Sequence, residues 1–495
     1  MKGRHTPPAV IMTRYISILL FIFTQAALIA QKHDAFSFFG YENDSNLPLF
    51  GGGTIDFNYD PPKIFKEKKK IDFSTYCGAC SDSVGNLLFY TNGISVQNRA
   101  HQLIQWGDSI NLSFFWHDYQ KYGFPIGAIS PSVPAPGLPN QYFLFSMGGR
   151  DQPATQQIVL APLWYNRVDM NQNSGLGRME EKNIVLLDSA QNEMVVVKHG
   201  NGRDWWVLAP LLSRPVHYAY LVAKNGINVP LIQEYGPQYD NYEVPSPCSI
   251  SPDGLTYIRH DSYGGLRIYD FDRCSGQLSN LRIIPYENGF FSIQTTFSPD
   301  SRFLYIASFE AMMVMDMHAP DPALTLDTIA VYDGFSSPFP PFDTYFWTSQ
   351  MHGDKLYYAT KNGTRALHVI HRSELPGLAA DVEQHGITLP VFNDGTNCRF
   401  PNYRLGRWEG SPCDTLAFTG GLDGFVHVPY AQFEDKSDAG YRLLSPLRGS
   451  GTRRQLPPTT MLWALKKGRL AKGGVENAPA DAENIYKTES NDHEK

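Results

Sequence analysis

Ser251-Pro-Asp-Gly-Leu-Thr-Tyr-Ile258 and Ser298-Pro-Asp-Ser-Arg-Phe-Leu-Tyr-Ile306 lie 47 residues apart, and each is a tight turn running directly into an apolar strand. A strand-based unit recurring every 40 to 55 residues or so is the signature of a β-propeller, in which each small sheet buries its faces only against its neighbours. Four further copies of the turn-then-strand pattern follow more loosely. They introduce Leu87-Leu-Phe-Tyr90, Tyr142-Phe-Leu-Phe145, Trp205-Trp-Val-Leu208 and Leu356-Tyr-Tyr-Ala359. Spacings between the turns are 55, 63, 51, 47 and 53 residues. All six runs are short, aromatic or β-branched, and apolar on both faces, as strands between stacked sheets must be; they read as the inner strands of blades.

The 363 residues from His33 to Gly395 hold between six and seven such units, and the expectation is an all-β propeller of seven blades, with six as the alternative. One blade is expected to join N-terminal and C-terminal strands, leaving no edge unpaired. The 13% aromatic content, 42 Gly and 35 Pro suit strands punctuated by turns. A formal charge of −7 gives no basic surface for nucleic acid.

The ends differ from this core. Arg14, the apolar run Ile16 to Phe23, and Ala26-Ala-Leu-Ile-Ala30 before Gln31 read as an export signal over residues 1–30, with Met12 an alternative start. The run is short of the roughly 20 residues that a membrane span needs. The propeller is expected over 31–416, and 417–495 reads as a disordered tail. That tail carries Arg442, Arg448, Arg453, Arg454, Lys466, Lys467, Arg469 and Lys472 without an acidic residue between Ala439 and Val475, then turns acidic.

Six cysteines in an exported chain read as disulfides. Cys398 and Cys413 flank one loop, Cys248 and Cys274 share one repeat, and Cys77 and Cys80 form a lone Cys-x-x-Cys without the second pair that zinc requires.

Little catalytic chemistry is legible. His368 and His371, three apart on a strand, point to opposite faces. Asp270 and Asp272 share a face but sit at a strand end, where carboxylates bond turn amides; Asp253 and Asp300 are expected to cap the Ser-Pro-Asp turns. Lys63, Lys66, Lys68, Lys69 and Lys70 read as a solvated strand edge. Lys198, His199, Arg203, Asp204 and Trp205, with Trp206 adjoining, are the candidate ligand-binding cluster, because aromatic faces stack on sugar rings and Arg grips carboxylates. No cofactor or metal is expected.

Several phrases in order, among them Phe39-Gly-Tyr-Glu42, Phe50-Gly-Gly-Gly-Thr-Ile-Asp-Phe57, Gly85-Asn-Leu-Leu-Phe-Tyr-Thr-Asn-Gly93, Gly202-Arg-Asp-Trp-Trp206, Tyr269-Asp-Phe-Asp-Arg-Cys-Ser-Gly276 and Pro401-Asn-Tyr-Arg-Leu-Gly406, resemble the exported propeller modules of gliding bacteria that use a type IX secretion system. The resemblance implies a secreted or cell-surface module continuing into PKD-type domains and a sorting domain. After Asp414-Thr-Leu416 the chain departs from that plan, which implies a truncated or frame-shifted product and leaves the periplasm open as its location. The expected function is a non-enzymatic module binding a surface protein or glycan. The alternative is a propeller hydrolase or lyase acting on a polysaccharide or lactone.

Overall fold

The computed structural model describes residues 31–414, except 76, 127–129, 153–156, 240–242, 244–245, 286–292, 338–341 and 362, together with the backbone of 441–444, 462–466 and 469–473. The expected export signal and most of the expected tail lie outside the described residues. Two compact units are distinguished. The first holds the described residues up to Lys198 and from Asp204 to Leu405; the second holds His199–Arg203 and the described residues from Gly406 onward.

In the first unit the strands form seven antiparallel sheets in chain order. The first sheet is β1 (Phe36–Phe39), β2 (Gly53–Asp56) and β3 (Lys63–Lys66), and the second is β4 (Gly78–Ser81), β5 (Leu87–Thr91) and β6 (Val96–Asn98). The third comprises β7 (Ser132–Pro134), β8 (Gln141–Gln152), β9 (Gln157–Asp169) and β10 (Arg178–Leu187). The fourth is β11 (Val195–Lys198), β12 (Trp205–Pro210) and β13 (Val216–Ala223), whose outer side pairs with both β14 (Gly226–Ile227) and β15 (Leu231–Glu234). Then come β16 (Cys248–Ile250) to β19 (Leu278–Ile284) through β17 (Thr256–Asp261) and β18 (Gly265–Phe271), and β20 (Gln294–Phe297) to β23 (Asp327–Val331) through β21 (Phe303–Ala307) and β22 (Ala311–Asp316). The seventh is β24 (Phe346–His352), β25 (Lys355–Thr360), β26 (Thr364–Ile370) and β27 (Val382–Asn393).

Alternation along these strands makes a ring. On β21, Phe303 and Tyr305 face Phe346 and Tyr358 of the seventh sheet, whereas Leu304 and Ile306 face Ile258 and Ile268 of the fifth. The same division holds all round, with one buried apolar cluster between each successive pair of sheets. The circle closes where Phe39 and Ile55 of the first sheet pack on Tyr357 and Leu389 of the seventh. Each fully buried Phe or Leu contributes about 1.5–3 kcal/mol, so no blade is stable alone and the ring is cooperative. This is a seven-bladed β-propeller.

Two expectations about the ring are corrected. The six sequence-identified runs fall on β5, β8, β12, β17, β21 and β25, which are second strands, not inner ones. The inner position belongs to the first strand of each sheet: β4 touches β7, β11 touches β16, β16 touches β20 and β20 touches β24. These strands carry small and polar residues that bond across blades. Ser249 Oγ donates to the Thr295 carbonyl at 2.7 Å, and Gln294 Nε2 donates to Ser349 Oγ at 3.0 Å. Second strands, buried on both faces, have the stronger apolar pattern and mask the inner ones.

Closure also differs in kind. The three strands of the first sheet all come from the N-terminal part, and along β1 lies the segment Thr396–Leu405 without a regular ladder. The Cys398 amide donates to Ser37 Oγ at 3.3 Å, and Arg404 grips Asp34 with Nη1–Oδ2 and Nη2–Oδ1 separations of 2.5 and 2.9 Å. Cys398 is disulfide-bonded to Cys77 across 321 residues, with Cα atoms 5.0 Å apart. The pairings Cys398 with Cys413 and Cys248 with Cys274 do not form. Cys80 and Cys248 are free thiols buried in the inter-blade clusters, and burial pushes both up to about 12.

Lys69 is a further correction: it is buried, its ammonium 2.6 Å from Glu67 Oε2 and 4.8 Å from the Phe38 ring centre. Lys63 and Lys66, in contrast, occupy the outer strand β3 of the first sheet and are exposed.

In the second unit, Tyr441–Leu444, Leu462–Lys466 and Arg469–Gly473 form a three-stranded antiparallel sheet inside the region expected to be disordered.

Candidate functional site

The third blade is unlike the others. Its strands β8 and β9 run for 12 and 13 residues, about twice the length of most, and project beyond the ring. A register shift between Met147 and Gly149 places the Gly148-Gly149 pair where the hairpin leaves the blade. A Cβ on Gly148 would meet Trp164 Cη2 at 2.9 Å and one on Gly149 would meet Phe115 Cε2 at 2.3 Å, so only glycine lets both rings lie against β8.

The loop after β6 is tied onto this hairpin by asparagines. Asn111, at φ 65°, donates through Nδ2 to the Met147 carbonyl at 2.9 Å, and its own amide donates to Asn183 Oδ1 at 2.7 Å. Asn183 Nδ2 reaches the Ser109 carbonyl at 2.8 Å, while its amide donates to Asn166 Oδ1 at 2.9 Å. The Phe114 amide then donates to the Gly149 carbonyl at 3.2 Å.

Between loop and hairpin lies a groove of about 500 Å³. Leu112, Ser113 and Phe114 form one wall, Gly149, Arg150 and Asp151 of β8 another, and Ala161, Pro162 and Trp164 of β9 the floor, with Val185 and Asp188 at the rim. Phe114 is 62% exposed, Leu112 55% and Val185 52%, whereas Trp164 is almost covered. Arg150 and Asp188 are ion-paired at the edge. Exposed apolar side chains gathered around a groove, with an Arg–carboxylate pair at the rim, are the composition of a recognition surface.

The axis of the ring is occupied differently. The segment from Thr396 to Leu405 touches six of the seven blades, so it crosses the centre of the ring. Thr396 bonds Phe73 at 3.4 Å, Asn397 Nδ2 bonds the Thr348 carbonyl at 3.2 Å, and Arg399 is paired with buried Glu193. Tyr403, fully buried, donates to the Ser132 carbonyl at 2.5 Å, and Asn402 reaches Pro252 at 2.8 Å.

The sequence-predicted cluster does not form one exposed surface. Lys198 and Trp205 are register partners on β11 and β12, both buried, with Nζ 5.0 Å from the indole centre. Lys198 donates to the Tyr403 carbonyl at 2.6 Å and to Gln31 Oε1 at 2.7 Å. Burial, and then the nearby Arg273, lowers its ammonium to about 8. Asp204 is buried as well; Trp206 Nε1 donates to the Arg273 carbonyl at 2.8 Å. His199 and Arg203 belong to the second unit, in a turn where the Asn201 amide donates to His199 Nδ1 and the Arg203 amide to Asn201 Oδ1, each at 3.0 Å.

Other candidates are turn and core elements. Asp253 Oδ1 accepts from the Leu255 amide at 2.9 Å and Asp300 Oδ1 from the Arg302 amide at 3.2 Å. Asp272 Oδ1 accepts from Cys274 at 2.7 Å, and Asp270 Oδ2 from Asn280 at 3.0 Å. His368, buried and lowered to about 4, contacts the Thr344 carbonyl through Nε2, whereas His371 faces Glu383 at 2.8 Å. Among the described residues no three His, Cys, Asp or Glu converge as a metal site.

The groove escaped sequence reading, although two signals pointed to it. The 63-residue spacing is the longest in the series and marks the extended third blade, and Phe114-Phe115-Trp116 is an aromatic run outside any blade strand.

No protein-family model matches the chain, and no curated protein does. Solved structures similar to it include a candidate 6-phosphogluconolactonase of Bacteroides uniformis, 12% identical, covering 72% of this chain and 97% of that one with a TM-score of 0.46. A Lactobacillus plantarum protein is 12% identical over 73% and 98% of the two chains at 0.40, and the periplasmic gluconolactonase of Pseudomonas aeruginosa is 15% identical over 60% and 81% at 0.40. With every one of these scores below 0.5, the propeller assignment rests on the seven sheets and their closed circle of clusters.

Proposed function

We propose that this chain is an exported binding module of the kind implied by its type IX secretion resemblance, and that it holds a segment of a surface protein in the third-blade groove. The observation that carries this reading is the exposure of Leu112, Phe114 and Val185 around a groove built on Gly148 and Gly149. Apolar side chains at the centre with Arg150 and Asp188 at the edge favour a protein ligand over a glycan, which would want more hydrogen-bonding groups. Export is supported by the disulfide between Cys77 and Cys398. Among the described residues no helix is long and apolar enough to cross a membrane.

The competing reading, a propeller hydrolase or lyase, would draw acids and bases from several inner strands to the axis. Here the chain's own Thr396–Leu405 segment lies there, and Glu193 is paired with Arg399. A photo-crosslinking residue at position 114 of the full chain, expressed in cells that export it, is expected to trap one surface protein reproducibly, and the same probe at exposed Leu324 is expected to trap none. Glycan-array binding of the purified protein without a trapped protein would replace the protein ligand by a glycan. Turnover of a lactone or polysaccharide would overturn the non-enzymatic reading.

A further inference from the structure

Phe309 sits in the turn between β21 and β22, Lys361 follows β25, Tyr332 follows β23, and Tyr345 immediately precedes β24, in which Trp347 is the second residue. In an antiparallel meander these connections all leave from one end of the strands, so the five residues share one face of the ring on its sixth and seventh blades. Their side chains form a continuous series. The Tyr332 and Tyr345 ring centres are 4.8 Å apart, those of Tyr345 and Phe309 6.0 Å, and those of Phe309 and Trp347 5.4 Å, and the Lys361 ammonium lies 5.3 Å from the Trp347 ring centre. Phe309 is 37% exposed and the other three rings are half-buried, so the series belongs to the surface and not to an inter-blade core.

Charged groups are fixed beside these rings. Asp343 Oδ1 accepts from the Tyr332 hydroxyl at 2.9 Å and from Ser336 Oγ at 2.7 Å. The Tyr332 amide donates to the Glu310 carbonyl at 2.7 Å, which holds Glu310 next to the same ring pair. Tyr345 feels both carboxylates: a hydrogen bond with Asp343 first, and the charge of Glu310 as well, raise its phenol above the ordinary range. Lys361 is ion-paired with Asp394 at 3.3 Å, whereas among the described residues no cation pairs with Glu310 or Asp343.

We propose that this series is a second ligand site, and that its ligand is an uncharged, extended glycan chain. Sugar rings present C–H faces that stack on aromatic rings, and successive sugars lie on successive rings of the series. Their hydroxyls donate to Glu310 and Asp343 and accept from the Lys361 ammonium. The third-blade groove gathers apolar side chains and keeps its ion pair at the rim; here every ring has a charged neighbour, the pattern that a polyhydroxylated ligand needs. The two carboxylates without a cation repel an anionic polysaccharide, so charge selects a neutral chain.

This inference goes beyond the groove reading and does not rest on it. The purified full chain is titrated with cellohexaose, chitohexaose and mannohexaose as neutral probes and with hexagalacturonate as the anionic one. At least one neutral probe is expected to bind and hexagalacturonate is not. Phe309→Ala is expected to weaken that binding about tenfold or more, Phe309→Tyr to restore most of it, and Phe114→Asp, in the groove, to leave it unchanged. Because Phe309→Ala also removes ring contacts, Glu310→Lys at an exposed side chain gives an independent reading and is expected to admit hexagalacturonate. Binding of no neutral probe, or binding of hexagalacturonate by the parent, would overturn the proposal. Loss of glycan binding in Phe114→Asp with full binding in Phe309→Ala would move the glycan to the groove and overturn it equally, and unchanged charge selection in Glu310→Lys would overturn the role given to Glu310. Failure of the crosslinking probe at position 114 to trap a protein touches the groove reading alone.

Discussion

The backbone amide of Asp253 donates to Oγ of Ser301 at 3.0 Å, so the two Ser-Pro-Asp turns that reveal the repeat also touch one another. Ser301 occupies the position that Gly254 holds in the preceding copy, and both are left-handed, at φ 65° and 76°. A serine there bears a conformational cost that glycine does not. Its hydroxyl compensates by accepting the neighbouring turn's amide. Ser301→Gly exchanges one effect for the other and is expected to change stability by less than about 1 kcal/mol, whereas Ser301→Ala keeps the strain and loses the bond, costing about 2 kcal/mol. Denaturant unfolding of the two variants checks the order; a more stable alanine variant would refute it.

Arg259 on β17 is enclosed with Glu243, both side chains fully buried. Nη2 is 2.5 Å from Oε2, and Nη1 donates to the Arg214 carbonyl at 2.6 Å. Asn192 Nδ2 and the Ser213 amide complete the carboxylate's partners at 2.6 and 2.9 Å. The carboxylate, opposing the effect of burial, raises the guanidinium above its ordinary range. Glu243→Gln strands a buried cation between the fourth and fifth blades. The expected loss is about 3–5 kcal/mol, read as a lowered unfolding midpoint; a change below 1 kcal/mol would show that other groups neutralise Arg259.

Glu67 gives the acid limb of stability. The His101 hydrogen bond first, and Lys69 as well, hold its carboxyl down to about 2 from 4.5 against the opposing effect of burial. A depressed carboxylate stabilises the fold fully above the unfolded value, and that contribution disappears as pH falls from 4.5 through 2. Because the side chain is about a third exposed, screening reduces the effect to on the order of 1 kcal/mol. Glu67→Gln is expected to flatten the stability profile between those limits; an unchanged slope would remove Glu67 from the account.

Cys77 and Cys398 join the start of the second blade to the axial segment across 321 residues. Cross-linking a loop of this length removes denatured-state entropy worth up to about 5 kcal/mol. The Cys77→Ser/Cys398→Ser double variant is therefore expected to melt well below the parent. Native Cys80 and Cys248 are expected to resist thiol reagents, since burial raises both thiols. Rapid labelling of either without denaturant would contradict their packing.

The propeller was readable because apolar alternation on both faces of β5, β8, β12, β17, β21 and β25 is a strong local pattern. Blade count was harder, since β1 to β3 carry no matching turn signal. What stayed hidden depends on contacts between distant residues. Nothing local to Cys398 points to Cys77 rather than Cys413, and nothing local to Lys198 indicates that Tyr403 and Gln31 enclose it. A basic residue beside two tryptophans reads as a surface cluster, yet Lys198 faces Trp205 across one ladder and is sealed by the axial segment.

The groove makes the most direct functional prediction. Phe114 is held at the lip by the hydrogen bond its backbone N–H donates to the Gly149 carbonyl, and its ring is mostly exposed, so replacing it disturbs little of the core. Phe114→Asp is expected to leave the unfolding midpoint within about 0.5 kcal/mol of the parent. It places a charge where an apolar ligand segment would be desolvated, and is expected to weaken binding by more than about 2 kcal/mol, some thirtyfold. Gly149→Val acts from the other side: its Cβ collides with Phe115 at 2.3 Å, so it should lower stability and binding together. Loss of binding in Phe114→Asp with an unchanged midpoint, set beside joint loss in Gly149→Val, distinguishes recognition by the groove from a general effect on folding. Full binding by Phe114→Asp would mean that the ligand sits elsewhere on the propeller.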